Sequence, residues 1–354
     1  MIEKERTYFD SEDLESSILR KEARGQITCI ILFLTIFVVF IICLLIGPST
    51  LSASSAFDAL IGNGTWKGHY IVFNLRMPRS ICAMAVGAGL AIAGMAMQAM
   101  FRNPMASPSV LGLSSGASFG ASLAIAFGFG GFIGAFSVSF MAFISCFITM
   151  CLVYALAITR YGTPTVLLLL SGVAVGALFS GLTSFIQYVV EPDILQGVVY
   201  WTMGSFSRCH WEDVRIGIPV IILGILLICT KLKELNLISL GEEQAESLGV
   251  NIKRTRGFLL IGTALCVGGS VAISGIIGFV GLIIPHICRA IAGPNHLLLA
   301  PLCILTGAIF MMIMDIVAKS ITFTGELPIG ILTSILGAPF FIYIMRKKRN
   351  ELWG

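Results

Sequence analysis

The side chains in this sequence that could do chemistry are four histidines, ten cysteines and one glycine-framed serine pair. Their spacing argues against each obvious reaction. His69, His210, His286 and His296 are not paired at metal-ligand spacing and no HExxH occurs, so a zinc hydrolase is not expected. Gly112-Leu113-Ser114-Ser115-Gly116 fits GxSxG, but that motif works at a strand-to-helix elbow and here lies in an apolar run of helix length. No GxxxxGK[ST] loop is present, so the chain does not itself cradle nucleotide phosphates. The cysteines form no CxxC pair, and nearly all, including Cys43, Cys82, Cys146, Cys229 and Cys266, sit inside apolar runs as small fillers; Cys209 alone falls near the outer surface. No catalytic residue, metal centre or bound cofactor is expected in this chain.

Polar groups inside the apolar runs are few: Gln98, Gln187, His286 and Asp315 stand out. A charge at bilayer depth costs at least about 2.5 kcal/mol, and no chain of carboxylates is visible. An ion-gradient-driven carrier would need a buried acid–base pair, and its transport would survive ATP depletion. An intramembrane enzyme would need a polar cluster on facing helices. Interhelical hydrogen bonds account for Gln98 and Gln187. Asp315 lies near the outer end of a span, where solvation explains it as well as function does.

The most informative soluble stretch is Asn236–Arg256, within a cytoplasmic loop over 231–256. Gly241 opens a short helix whose first turn holds Glu242 and Glu243, favoured at the positive end of the helix dipole. Ala245 and Leu248 are three apart and share a face, and Gly249 fits the left-handed position after a helix. The spacing predicts a capped helix presenting an Ala/Leu stripe to a partner.

These groups need a scaffold, and composition names its solvent. The 354 residues are 56% hydrophobic and 12% charged, with mean hydropathy +0.94, against about 25% charged for a soluble domain. Ile27–Gly47 is long enough to cross a bilayer, and too long for a cleavable leader's apolar core, so it reads as an uncleaved first helix. Ten candidate spans lie near 27–47, 80–100, 110–127, 132–158, 165–190, 214–230, 257–274, 276–291, 298–318 and 329–345. Residues 1–26 form a cytoplasmic segment, 27–345 the transmembrane domain and 346–354 a basic tail. With both termini inside, 17 of the 23 Lys and Arg fall in cytoplasmic segments, as the positive-inside rule requires. The second span carries Ala83, Gly87 and Ala91 on one stripe and Ala85, Gly89 and Ala93 on the next, which places it centrally in a bundle. A weak repeat relates Val86-Gly87 to Val267-Gly268 and Gly112 to Gly293; its offset crosses five spans, so the copies run in opposite directions.

Several motifs, in order, resemble the permeases of ATP-binding-cassette importers for iron-siderophores, haem and vitamin B12. Arg76-Met77-Pro78-Arg79 resembles that family's R-x-P-R, and Gln98 with Arg102-Asn103-Pro104-Met105-Ala106-Ser107-Pro108 its Q…RNPLAxP run. Leu240–Gly249 resembles the ATPase-docking loop, and Gly278–Arg289 and Glu326–Phe340 resemble two further signatures. The resemblance spans about 70–345. It implies an all-α bundle of about ten helices like the vitamin B12 importer permease, multi-pass in a bacterial cytoplasmic membrane. It also implies a second permease, cytoplasmic ATPase subunits that hold ATP and Mg, and an extracytoplasmic binding protein; no nucleic-acid partner is expected. By that resemblance Arg76, Arg79 and Lys319 pair with carboxylates on the binding protein, and Thr163 and Pro164 form the cytoplasmic gate. Gln98, Asn103 and Pro104 lie on the path, and Gly241, Glu242, Glu243, Ala245, Leu248 and Gly249 couple to the ATPase. An iron chelate, a ferric siderophore first, is the implied cargo, with haem and vitamin B12 as alternatives. Gly293-Pro294-Asn295-His296-Leu297 departs from the family's G-x-D-H-R, lacking its acid and base.

Overall fold

The structure, a computed structural model, describes residues 11–48, 51–128, 137–160, 163–321 and 325–353. Among these the chain is helical throughout and has no β-strand. A long α1 (Ser11–Leu45) is followed by short α2 (Ala53–Leu60) and α3 (Trp66–Tyr70). A π-helical turn, Ile71–Arg76, leads into α4 (Met77–Met100). A single 3₁₀ turn, Pro108–Leu111, precedes α5 (Leu113–Ala126). Then come α6 (Ser137–Ala157), α7 (Thr165–Val189), α8 (Pro192–Thr202) and α9 (Trp211–Cys229). Helices α10 (Leu232–Leu240) and α11 (Glu242–Ser247) lead to α12 (Ile252–Ser274). The chain closes with α13 (Val280–Ala292), α14 (His296–Ser320) and α15 (Ile329–Trp353).

Among the described residues, six helices are long and apolar enough to span a membrane, seven if the bent pair α9–α10 counts as one, and three shorter apolar helices bring the number to the ten expected. The short ones are α5, α13 and the apolar part of α15. The expected third span is shorter than predicted because Pro108 starts a 3₁₀ turn and Gly112, at φ 72°, redirects the backbone into α5. The start of the fourth predicted span, 132–136, lies outside the described residues. Helix α1 runs without a break from Ser11 into the first span, and α15 continues through the basic stretch to Trp353.

Burial sorts the helices by neighbour. The apolar window of α4 is 83% buried against 17% for α1, so α4 is the central post and α1 presents Ile30, Phe33, Leu34 and Phe37 outward, as a lipid solvent demands. Small residues make the central position possible. A Cβ at Gly87 would strike the Gly307 carbonyl on α14, and one at Gly94 the Gly281 backbone on α13. The predicted repeat places α4 and α12 antiparallel, and Gly112 and Gly293 share a left-handed φ of 72° and 78°. Gly94 and Gly275, which stand at the same offset, differ: the first is mid-helix and the second ends α12 at φ 70°.

Helix α12 links the two ends of the bundle. From Arg256 to Ser274 it rises roughly 27 Å. At the Ser274 end, Ser205 N–H donates to the Ser274 carbonyl at 2.7 Å and Ile329 N–H to Gly204 O at 2.9 Å, which ties α12 to the start of α15. The other end carries α10, α11 and the Thr163 segment.

Candidate functional site

At the outer end the π-helical turn delivers two arginines to different places. Arg76 is buried, and its Nη1 donates to the Leu44 and Leu45 carbonyls at 2.9 and 2.7 Å, closing the C-terminus of α1. Trp211 Nε1–H meets the Phe73 carbonyl in the π-turn at 2.9 Å. Three residues past Arg76, the Arg79 fork faces α14. Its Nε and Nη2 bind Asp315 Oδ1 at 2.9 and 2.8 Å, and its Nη1 binds Glu326 Oε2 at 2.7 Å. Lys319 Nζ takes the other Asp315 oxygen at 2.5 Å.

Two expectations are corrected here. Arg76 and Arg79 are not displayed together on the surface: both point inward, and the carboxylates Arg79 meets belong to its own chain. Asp315 is 0% exposed and not solvated, so the chain does hold a buried acid–base network, contributed by α4, α14 and the approach to α15. A small cavity of about 150 Å³ beside it is lined by Arg76, Arg79, Lys319, His210 and Glu326. Within this cluster Arg76, Arg79 and Lys319 stand against Asp315 and Glu326, while the outer segments as a whole hold six Lys and Arg against seven Asp and Glu. Beyond Glu326, a larger cleft of about 890 Å³ runs between α8 and the start of α15, past Leu195, Tyr200, Leu327 and Ile331.

At the opposite end, Gln98 is buried and fully used: its Nε2 donates to Leu282 O at 3.1 Å and its Oε1 accepts from Arg289 at 3.0 Å. It joins α4 to α13 within the single chain. Asn103 is exposed and folds its Oδ1 back onto Met105 N–H at 2.9 Å, with Pro104 half-buried beside it. The atypical Gly293–Leu297 loop replaces ionic contacts by neutral ones. Asn236 Nδ2 donates to Asn295 Oδ1 at 3.0 Å, and Asn236 Oδ1 accepts from His296 N–H and Nδ1 at 2.8 and 2.7 Å, which puts the imidazole proton on Nδ1.

The short helix forms between its two glycines, with Gly241 at φ 145° as N-cap and Gly249 at φ 86° after its end. Its faces differ from the expectation. Ala245 is 0% exposed and packs under Ile238, Val250 and Ile252, whereas Leu248 is 61% exposed. The displayed group is Leu248 with Glu243; Ala245 is the inward anchor. Glu242 turns toward Arg256, Nη2 to Oε1 at 2.7 Å, and that guanidinium also reaches the Thr163 carbonyl, Thr163 Oγ1 and Thr165 Oγ1. Thr163 is buried, and Pro164, at φ −57°, is the exposed N-cap of α7. Arg256 was missed among the functional residues, its charge counting only as one more cytoplasmic positive.

A sequence profile of the FecCD transport family matches residues 34–347. The chain belongs to that family. The cobalamin import permease BtuC of Halobacterium salinarum is 42% identical over 278 residues, 78% of this chain and 74% of that one. The hemin transport permease HmuU of Yersinia pestis is 33% identical over 326 residues, 87% of this chain and 92% of that one. A solved inward-facing transporter described as of the metal-chelate ABC type superposes with a TM-score of 0.81 at 34% identity, over 90% of this chain and 99% of that one. As a FecCD permease, this chain is the non-catalytic membrane subunit of an ABC importer, and ATP hydrolysis belongs to a separate chain. That settles the choice against an ion-gradient-driven carrier, even though the buried acid–base pair such a carrier would need is present in Arg79, Asp315 and Lys319.

Proposed function

We propose that this FecCD permease forms the path for a large metal chelate, a ferric siderophore, across a bacterial cytoplasmic membrane. The observation that carries the reading is the cleft of about 890 Å³ at the outer end, a volume that suits a bulky organic ligand. It is mostly apolar, with Glu326 at one edge, so a chelate enters without being held tightly. The cleft is open in a single chain, which supports a paired permease that closes the path between two copies or a related second chain. The local cluster of Arg76, Arg79 and Lys319 around the small outer cavity supports docking of an acidic patch on a binding protein there. The exposed Leu248 and Glu243 support contact with the ATPase at the other end, and Thr163 with Pro164 the gate above it. Coupling is then differential binding of partners to two permease conformations.

Cobalamin is the second reading, favoured by the 42% identical relative that is named for it. The complex with its ATPase and binding protein, reconstituted in proteoliposomes, separates the two. Radiolabelled ferric hydroxamate, haemin and cyanocobalamin are offered singly and in competition, with ATP or a non-hydrolysable analogue inside. ATP-dependent uptake of the ferric hydroxamate is expected. Uptake of cyanocobalamin alone overturns the iron reading, and uptake that ignores ATP overturns the importer assignment.

A further inference from the structure

Arg256 occupies the first turns of α12 at 3% exposure, and a buried guanidinium needs a reason to be there. Its partners come from two separate segments, α11 and the Thr163–Thr165 stretch. Nη2 pairs with Glu242 on α11 at 2.7 Å and with Thr165 Oγ1, at the start of α7, at 3.3 Å. Nη1 donates to the Thr163 carbonyl and to Thr163 Oγ1, the latter at 3.3 Å. Among the described residues, Arg256 is the only side chain hydrogen-bonded both to α11 and to the Thr163–Thr165 segment. Glu242 and Thr163 are otherwise held by different parts of the fold: Ala245 anchors α11 to Ile238 on α10 and to Ile252 at the start of α12, while Pro164 caps α7.

We propose that Arg256 is the positioning residue that makes α11 and the Thr163–Thr165 segment move as one body, so that displacement of the ATPase-facing helix is transmitted to the head of α7. This rests on the reading that α11 contacts the ATPase and that Thr163 lies at the cytoplasmic gate. Arg is suited to the task by its rigid planar fork, whose two terminal nitrogens hold both sides at fixed spacing; a lysine ammonium on a flexible stem holds one at a time. The guanidinium and Thr163 are buried, which shields their bonds from water, while the Glu242 carboxylate is 41% exposed. A shift of α11 therefore either carries the Thr163 carbonyl with it or breaks a charge-assisted hydrogen bond of a buried guanidinium. From α7 the displacement reaches α8, which lines the outer cleft. The link thus connects the end where ATP acts with the wall of the path.

The test uses the full permease–ATPase complex in proteoliposomes with binding protein, and follows uptake and ATP hydrolysis in one preparation. The probe is whichever of ferric hydroxamate, haemin and cyanocobalamin the wild-type complex carries. For Arg256→Met, hydrolysis is expected within about twofold of wild type while molecules carried per ATP fall about tenfold. Glu242→Ala, which alters only a surface carboxylate and spares the Arg256–Thr163 bonds, is expected to lower the same ratio, and Arg256→Lys to give an intermediate value. Arg346→Met, which removes an exposed charge elsewhere, is expected to leave it unchanged. A ratio within twofold of wild type in both Arg256→Met and Glu242→Ala overturns the link. So does loss of ATPase subunits from assembled Arg256→Met, since the residue then shapes the docking surface and transmits nothing. A wild-type complex that carries none of the three probes is a failure of the functional reading instead, and is seen before any variant is compared.

Discussion

Asp315→Asn changes one charge and almost no volume, in the least hydrated ionic group of the molecule. The Asp315 and Lys319 side chains are 0% and 1% exposed, so neither solvent nor salt screens their contact. In the native cluster Arg79 has two carboxylate partners, Asp315 and Glu326, while Lys319 has Asp315 alone. The substitution leaves Arg79 paired through Glu326 and removes the counter-charge of Lys319, to which an amide oxygen offers only a neutral acceptor. One buried cation without a counter-charge costs about 3–5 kcal/mol. Removing the cation as well, in Asp315→Asn with Lys319→Met, is expected to restore about 2 kcal/mol or more of that loss, because the desolvation penalty goes with the charge. The four proteins of this double-mutant cycle are purified in nanodiscs and their unfolding free energies compared by steric trapping. An Asp315→Asn protein within about 0.5 kcal/mol of wild type refutes the reasoning. A double mutant destabilised by the full sum of the single changes refutes it equally, since the two side chains would then be uncoupled.

Two further outcomes follow from the packing. Gly87→Val is expected to abolish folding or cost about 3 kcal/mol or more, since its side chain meets the Gly307 backbone and not a movable side chain, and the yield of monodisperse protein in detergent checks it. Leu248→Asp should leave the permease folded, because Leu248 is exposed, yet reduce ATPase subunits recovered with it about tenfold or more, as a carboxylate buried in an apolar contact costs several kcal/mol; recovery at wild-type stoichiometry rejects that contact.

What was legible in the sequence is what chain-local rules govern. The apolar runs marked the spans, Gly241 and Gly249 bracketed α11, and the Ala/Gly stripes put α4 at the centre, each from neighbours within a few residues. The inner faces of α11 were misjudged for a local reason too. Residues three apart share a face only while the helix lasts, and Leu248 is already the cap, at φ −89° and ψ 11°, so its side chain leaves the side on which Ala245 is buried.

The outer network was hidden for a different reason. Arg79 and Asp315 are 236 residues apart, and distance from a span's end says nothing of whether that end meets water or another helix. Arg256 shows the same limit at the inner end: a count of cytoplasmic positives treats it like Arg254, but two residues along a helix are about 200° around it, which separates an exposed charge from a buried one. One sign was present at the outer end all the same. Asp315 and Lys319 stand four apart in an otherwise apolar helix, a spacing at which opposite charges meet on one face. Two ionisable residues placed so in a membrane span are better explained by each other than by solvent. A paired charge there needs a third group to complete it, and the excess arginine at the head of the neighbouring central helix was the candidate of matching depth.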